Sequence, residues 1–421
     1  MRQMKDSGIE WIGQIPDSWS VEALKRSVKI EMGQSPSSDC YNSDGIGFPF
    51  LQGNADFTDK YPVERIYTTE ANKFSKIGDL LLSVRAPVGA VNISDKEYAI
   101  GRGLCSITGK RVKVPFLWYA MEILKRGFDA NSTGSTFESI NTEDVGDAKI
   151  MVPSVTEQFH IADYLDAKCT EIDALIEAKE KTNALLRERR QSIIYEAVTK
   201  GLNPDAPMKD SGIEWIGMIP AHWSVGKLGY FIDVFNGDRS SNYPSGNDIQ
   251  ESGVPFLTSS NLEFDVLDMS DSKYISEEKY ASMSGLKMEL DDIIYCLRGS
   301  VGKCSINKTE TCGTVASSLM GIRCKKMVPD YLLFVLKSAV IETQNALFMN
   351  GTCAANLSAE NVCSYLVPIP SEAEQREIAT HLQGRCVEMD NLISANEATI
   401  QKLKEYRLSI IYEAVTGKIE I

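Results

Sequence analysis

The feature that most constrains this 421-residue chain is that it says the same thing twice. Met4-Lys-Asp-Ser-Gly-Ile-Glu-Trp-Ile-Gly13 recurs unchanged as Met208-Lys-Asp-Ser-Gly-Ile-Glu-Trp-Ile-Gly217. A second pair, Ser192-Ile-Ile-Tyr-Glu-Ala-Val-Thr199 and Ser409-Ile-Ile-Tyr-Glu-Ala-Val-Thr416, closes each copy. Between these bookends the halves match only in patches. A duplication with fixed ends and drifting middles implies one frame carrying two different reading heads. The length points the same way, because one hydrophobic core seldom serves so long a chain.

Each copy opens with an arm, Ser7 to Trp19 and Ser211 to Trp223. Gly13 and Pro16, like Gly217 and Pro220, break any long helix there. Ile9, Trp11, Ile12 and Ile15 must therefore bury by docking on another element. A mixed α/β region follows. Phe48-Pro-Phe-Leu51 parallels Val254-Pro-Phe-Leu257, and each runs into a polar tip, Gln52-Gly-Asn54 or Thr258-Ser-Ser-Asn261. Gly78 to Gly89 aligns with Asp291 to Gly302, placing Arg85 against Arg298; these apolar runs flanked by Gly and Pro read as buried strands. Thr133-Gly-Ser-Thr136 and Asn350-Gly-Thr-Cys353 are matching polar loops.

Long helical patterns end both halves, from about Thr156 to Thr199 and from Ser371 to Thr416. Leu165, Ile172, Lys179, Leu186 and Ile193 recur every seventh residue, as do Leu382, Met389, Asn396, Leu403 and Ile410. Beside them run Cys169, Ile176, Asn183 and Arg190, and Cys386, Ile393, Ile400 and Arg407. Two adjacent rows at a strict heptad spacing predict a coiled-coil seam, with Lys179 and Asn396 as polar residues that set register. The order is arm, domain, helix, arm, domain, helix. A pseudo-twofold arrangement makes the helices antiparallel and seats the first arm at the end of the second helix, a circular layout. At about 1.5 Å per residue each helix is roughly 66 Å long, enough to hold two domains about one to two DNA turns apart, at about 34 Å per turn.

Composition removes several classes. No stretch approaches the roughly 20 apolar residues of a membrane helix. The start, with Arg2, Lys5 and Asp6, has no apolar signal region, so a cytoplasmic protein is expected. Ten cysteines form no C-x-x-C pair and there are three histidines, so reduced, packed thiols are expected rather than a metal site. A net charge of −14 argues against nonspecific coating of nucleic acid, which rests on many phosphate contacts, but leaves local basic patches open. No methyltransferase N-P-P-[YF] loop or G-x-x-x-x-G-K-[ST] phosphate loop occurs, and Gly101-Arg-Gly103 lacks the rest of a dinucleotide fingerprint.

The duplicated S-G-I-E-W-I-G-x-I-P-x-x-W arm, P-x-x-x-E-Q at Pro153–Gln158 and Pro370–Gln375, and the S-I-I-Y-E-A-V-T helix ends resemble the specificity subunits of type I restriction–modification systems. Ser154-Val-Thr156 stands where a second proline sometimes precedes E-Q. The resemblance covers nearly the whole chain. It implies two globular α+β target-recognition domains joined by two long antiparallel coiled-coil helices, a mixed α/β class with an internal pseudo-twofold repeat. The expected parts are an arm at 1–22, a recognition domain at 23–155, a helix at 156–200, linker and second arm at 201–229, a second domain at 230–370 and a helix at 371–421.

The resemblance further implies a non-catalytic subunit that binds a bipartite double-stranded DNA target with unlike half-sites. Its partners would be two modification subunits that methylate adenine with S-adenosylmethionine, joined by up to two restriction subunits using ATP and Mg. No cofactor or metal is expected in this chain. Base readout needs forked donors and amides. The candidates on strand-end loops are Gln52, Asn54, Arg85, Ser135 and Thr136 in the first domain, and Ser259, Ser260, Asn261, Arg298 and Thr352 in the second. Such residues also make ordinary turns. An arginine present in both domains cannot distinguish two targets, so Arg85 and Arg298 fit phosphate gripping or loop bracing better. Lys110, Arg111, Lys113, Lys325 and Lys326 could meet phosphates, while Arg187, Arg189 and Arg190 suit a helix C-terminus. A coiled-coil scaffold that binds only proteins, or a self-contained DNA-modifying enzyme, are the alternatives. Specific, salt-dependent duplex binding by the assembly, or activity from the chain alone, would separate them.

Overall fold

A computed structural model describes residues 2–10, 12–130, 139–238, 243–349 and 356–421. They divide into two compact units, residues 1–180 with 397–421, and residues 181–396. Both divisions cut through a long helix, Val155–Lys200 and Glu372–Val415. The expected boundaries set each helix apart from its domain, whereas each compact unit takes in part of both helices. The reason is packing: Ile161, Leu165, Cys169 and Ile172 belong to the core of the first unit, and Ile378, Leu382 and Cys386 to that of the second.

In the first unit four antiparallel strands lie in the order Val28–Met32, Leu104–Gly109, Leu80–Ser83, Val91–Ile93. Leu80-Leu-Leu-Ser83 is buried at every position because both sheet faces are covered. Leu80 and Leu82 face a core with Phe116 and Ala120 of the helix Val114–Ala130, while Leu81 packs with Leu51, Tyr98 and Ile100. A smaller sheet supplies that second layer, with Ala99–Ile100 parallel to Phe48–Leu51. The second unit repeats the plan. Ile232–Asn236, Leu319–Cys324, Ile293–Cys296 and Cys304–Ile306 form the large sheet, and Val254–Leu257 lies parallel to Thr314–Val315. Ile293 and Tyr295 face one core, Ile294 and Cys296 the other.

The arms are hairpins, Met4–Asp6 with Gln14–Pro16 and Met208–Asp210 with Met218–Pro220. Ile12, Ile15 and Trp19 are buried, as are Ile216, Ile219 and Trp223; Trp11 lies outside the described residues. The Trp19 indole N–H donates to Glu157 at 3.2 Å, and that of Trp223 to Glu374 at 3.1 Å. The hydroxyl of Tyr412 donates to the Ile12 carbonyl at 3.0 Å, and that of Tyr195 to the Ile216 carbonyl at 3.4 Å. The first arm thus sits on the end of the second helix, as the circular layout required. Each arm ties the start of one helix to the finish of the other.

The P-x-x-x-E-Q motif acquires a physical role here. Glu157 accepts the Ser154 backbone N–H at 3.0 Å while Ser154 Oγ accepts the Glu157 N–H at 3.3 Å, a reciprocal cap on the first long helix. Ser371 and Glu374 do the same for the second. Next door, the Gln158 amide donates to the Pro153 carbonyl and accepts the Lys113 N–H at 2.7 Å; Gln375 donates to Pro370 and accepts the Val328 N–H at 2.8 Å. Burial works against charge on Glu157, but hydrogen bonds from Ser154, Arg2 and Trp19 outweigh it and lower its pKa to about 2. Burial likewise opposes charge on Glu374, and hydrogen bonds from His222, Ser371 and Trp223 lower its pKa to about 2 as well.

Within the second unit the helices run antiparallel, since Asn183 meets Asn396 and Arg190, further along, meets Asp390, further back. Leu165, Ile172, Leu382, Met389 and Ile410 of the heptad rows are buried. Ile193 and Leu403 are half-buried. The Asn396 amide donates to Asn183 at 2.8 Å. Arg190 does not serve a helix terminus as expected. The helix continues to Lys200, and Arg190 pairs with Asp265 at 2.8 Å and Asp390 at 3.2 Å. Its counterpart Arg407 pairs with Asp173 at 3.0 Å in the first unit. Among the described residues no single helix is long and apolar enough to cross a membrane.

Candidate nucleic-acid interface

The parallel strand pair of each unit delivers the polar tips. Gln52 follows Phe48–Leu51 and is exposed; Asn54, half-buried, opens a short 3-10 turn. In the second unit Ser259 is half-buried and Ser260 exposed, with Thr258 Oγ1 and Ser260 Oγ 2.8 Å apart. Asn261 is removed from the candidate set. It is buried, accepts the Thr258 N–H at 2.9 Å and donates to the Asp268 carbonyl at 3.0 Å and Ser272 Oγ at 3.3 Å. Its amide closes a turn and has no edge left for a base.

Arg85 and Arg298 occupy equivalent, exposed positions just past the central strands Leu80–Ser83 and Ile293–Cys296. Ser83 Oγ donates to the Arg85 carbonyl at 2.9 Å, and Cys296 Sγ to the Arg298 carbonyl at 3.1 Å. Arg85 forms an isolated bridge with Ser139 and Arg298 with Asn356, where Arg298 Nε also donates to Asn356 Oδ1 at 3.0 Å. Both backbones brace the segment that follows a polar loop. The loop residues Ser135, Thr136 and Thr352 lie outside the described residues.

Of the basic candidates, Arg111 pairs with Glu22 at 2.9 Å and Lys325 with Asp233 at 2.9 Å, while Lys113 Nζ donates to the Lys110 carbonyl. The first two are already neutralised locally. Sequence reasoning passed over Gln34 and Arg102. Together with Gln52 they stand around one groove of about 440 Å³, lined also by Ser35 and Tyr41. The signal available was glycine, Gly33 before Gln34 and Gly101 and Gly103 around Arg102, which marks close backbone approach.

A sequence profile described as the type I restriction modification DNA specificity domain matches residues 16–186 and again 220–405. A Methanocaldococcus jannaschii sequence assigned as the putative specificity subunit of the type I restriction enzyme MjaX is 40% identical over 192 residues, 45% of this chain and 44% of that one. That match spans under half of either protein. The EcoBI specificity subunit of Escherichia coli is similar along the length, 21% identical over 435 residues and covering 99% and 90% of the two chains. The fold is similar to a chain solved in work on complex assembly and conformational transition of the type I R-M system. The TM-score is 0.74 at 16% identity, over 96% of this chain and 99% of that one. It is also similar to the HsdS subunit from Thermoanaerobacter tengcongensis, with TM-score 0.52, 16% identity and coverage of 99% and 100%. With both copies of the repeat matched and the repeated fold shared, the chain belongs to the type I restriction–modification DNA specificity family.

Proposed function

We propose that this chain is the non-catalytic, sequence-reading subunit of a type I restriction–modification assembly. Each globular domain reads one half-site of a bipartite duplex target, and the two half-sites differ. The observation that carries this is a constant frame with unlike tips. The Trp–Glu and Tyr–carbonyl clamps are the same in both units, whereas Gln52-Gly-Asn54 in one becomes Thr258-Ser-Ser-Asn261 in the other. The constant arms and helix ends suit two modification subunits carrying S-adenosylmethionine, with restriction subunits supplying ATP- and Mg-dependent steps. The acidic balance of −14 fits a protein whose grip on DNA is local and shared with partners.

The test is a methyladenine map from a methylation-free host expressing the chain with its modification subunits. The expected result is one bipartite motif with unlike halves. Exchanging residues 23–150 for another recognition domain should then change one half only. Absence of methylation from a stable complex, or a swap that alters both halves or neither, would refute the reading.

A further inference from the structure

Three segments of the first unit converge through glycine. A Cβ on Gly33 would fall 2.2 Å from the Gly101 carbonyl oxygen; one on Gly101 would lie 2.9 Å from the Gln52 Cα, and one on Gly103 2.6 Å from the Gln52 carbonyl oxygen. Backbone hydrogen bonds tie the same segments. Gly33 N–H donates to Leu104, Gln34 N–H to Ile100 and Gly101 N–H to Leu51, at 2.9, 2.9 and 2.8 Å. The Arg102 N–H donates to Ser35 Oγ at 3.1 Å. The junction is built from backbone. The side chains of Gln34, Gln52 and Arg102, which line the groove, make no hydrogen bond or ion pair among the described residues.

The second unit repeats the junction and changes the side chains. A Cβ on Gly237 would fall 2.2 Å from the Ala316 carbonyl oxygen, as Gly33 does from Gly101. Gly237 N–H donates to Leu319 at 3.0 Å and Ala316 N–H to Leu257 at 2.8 Å, matching Gly33 to Leu104 and Gly101 to Leu51. This register equates Gln34, Gln52 and Arg102 with Asp238, Thr258 and Ser317. Asp238 is buried and accepts the Ser284 N–H at 2.9 Å, and Thr258 is bonded to Ser260. Two long amides and a guanidinium with no side-chain partner among the described residues of one unit are thus replaced by short or engaged groups in the other.

We propose that Gln34, Gln52 and Arg102 are specificity-determining residues for the half-site read by the first unit, Arg102 taking a guanine edge and the two glutamines adenine edges. This rests on the function proposed above. The guanidinium fork matches O6 and N7 of guanine, and a side-chain amide matches N6 and N7 of adenine. Phosphate gripping is the competing use of Arg102. Phosphates are the same in every half-site, so grips on them can be alike in both units, as Arg85 and Arg298 are. Positions that differ between units on one frame are where unlike targets can be told apart.

The test uses the full chain complexed with its modification subunits, selecting bound duplexes from a randomised library. Arg102→Ala should lower discrimination at one base pair of one half-site on the order of tenfold to a hundredfold, leaving the other half unchanged. Gln34→Ala with Gln52→Ala should relax neighbouring positions of that same half. Arg102→Lys keeps the charge and loses the fork; it should relax the base preference while preserving the salt dependence. An unchanged sequence preference in these variants overturns the inference and leaves the proposed function standing. So does a uniform affinity loss with a shallower salt slope, which marks a phosphate contact. If the unsubstituted complex enriches no sequence, the proposed function itself fails.

Discussion

The hydroxyl of Tyr412 donates to the carbonyl of Ile12 at 3.0 Å, across 400 residues of chain. Tyr195 makes the equivalent bond to Ile216 within the second unit, only 21 residues away. One interface is therefore built once from distant and once from nearby sequence. Tyr412→Phe and Tyr195→Phe should each cost about 1 kcal/mol, the net value of an ordinary hydrogen bond. Hydrogen exchange checks the wiring: amides of the first arm should loosen in Tyr412→Phe, and those of the second arm in Tyr195→Phe. Loosening of the opposite arm would show the assignment to be wrong.

Acid should attack both arm clamps. Glu157 and Glu374 have folded-state pKa values of about 2 against an ordinary 4.5. A depressed carboxylate contributes stability that is present above its unfolded value and lost as pH falls toward its folded one. The melting temperature should accordingly drop between about pH 4.5 and 2. In Glu157→Gln with Glu374→Gln the protein should start less stable at neutral pH and lose less across that window. An identical acid slope in wild type and variant would count against the clamps.

Arg190 and Arg407 hold equivalent places on the two helices but differ in surroundings. Arg190 is largely buried between Asp265 and Asp390, and Asp265 has only 23% of its side chain exposed. Arg407 faces Asp173, whose side chain is 53% exposed. Removing one partner of a buried pair costs about 3–5 kcal/mol, whereas exposed pairs are worth about 0–1 kcal/mol. Arg190→Ala should therefore destabilise far more than Arg407→Ala in chemical denaturation; Lys337, 2.5 Å from Asp265, softens the loss.

Gly33→Ala and Gly237→Ala should each destabilise their own unit by about 1–3 kcal/mol, because the added methyl meets a carbonyl oxygen rather than a flexible side chain. Gly53→Ala, with open space around the new carbon, is the control. Thermal unfolding monitored separately in each unit distinguishes the two.

Much of the frame was legible because it is repeated nearly verbatim. The buried faces of both arms, the long helices and the seating of the first arm on the second helix follow from two identical segments and a heptad rhythm. What sequence spacing hid were contacts between rows. Lys179 and Asn396 stood out as matching interruptions, yet the amide of Asn396 bonds Asn183 from the neighbouring row, because antiparallel packing sets different rows opposite each other. Glu157 was visible only as part of a family motif, since its partner Trp19 lies 138 residues earlier. At the site, Gln52 and Ser260 lie on exposed tips because strands end there. Asn261 misled because its use depends on Asp268 and Ser272 folding back. Gln34 and Arg102 were missed because they become neighbours only when three segments meet at glycines.

The Asn183–Asn396 bond also gives the molecule a sense of which half is which. Under the repeat, Asn183 corresponds to Ile400 and Asn396 to Lys179. Two copies of the first half pairing with each other would set Asn183 against lysine, and two copies of the second would set Asn396 against isoleucine, stranding an amide on an apolar neighbour. Only unlike halves bring the two amides together. A polar pair inside a largely apolar seam penalises mismatched partners more than it strengthens the right one. The penalty falls on the second half: paired with its sibling it satisfies Asn396, and paired with a twin it would strand that amide against isoleucine.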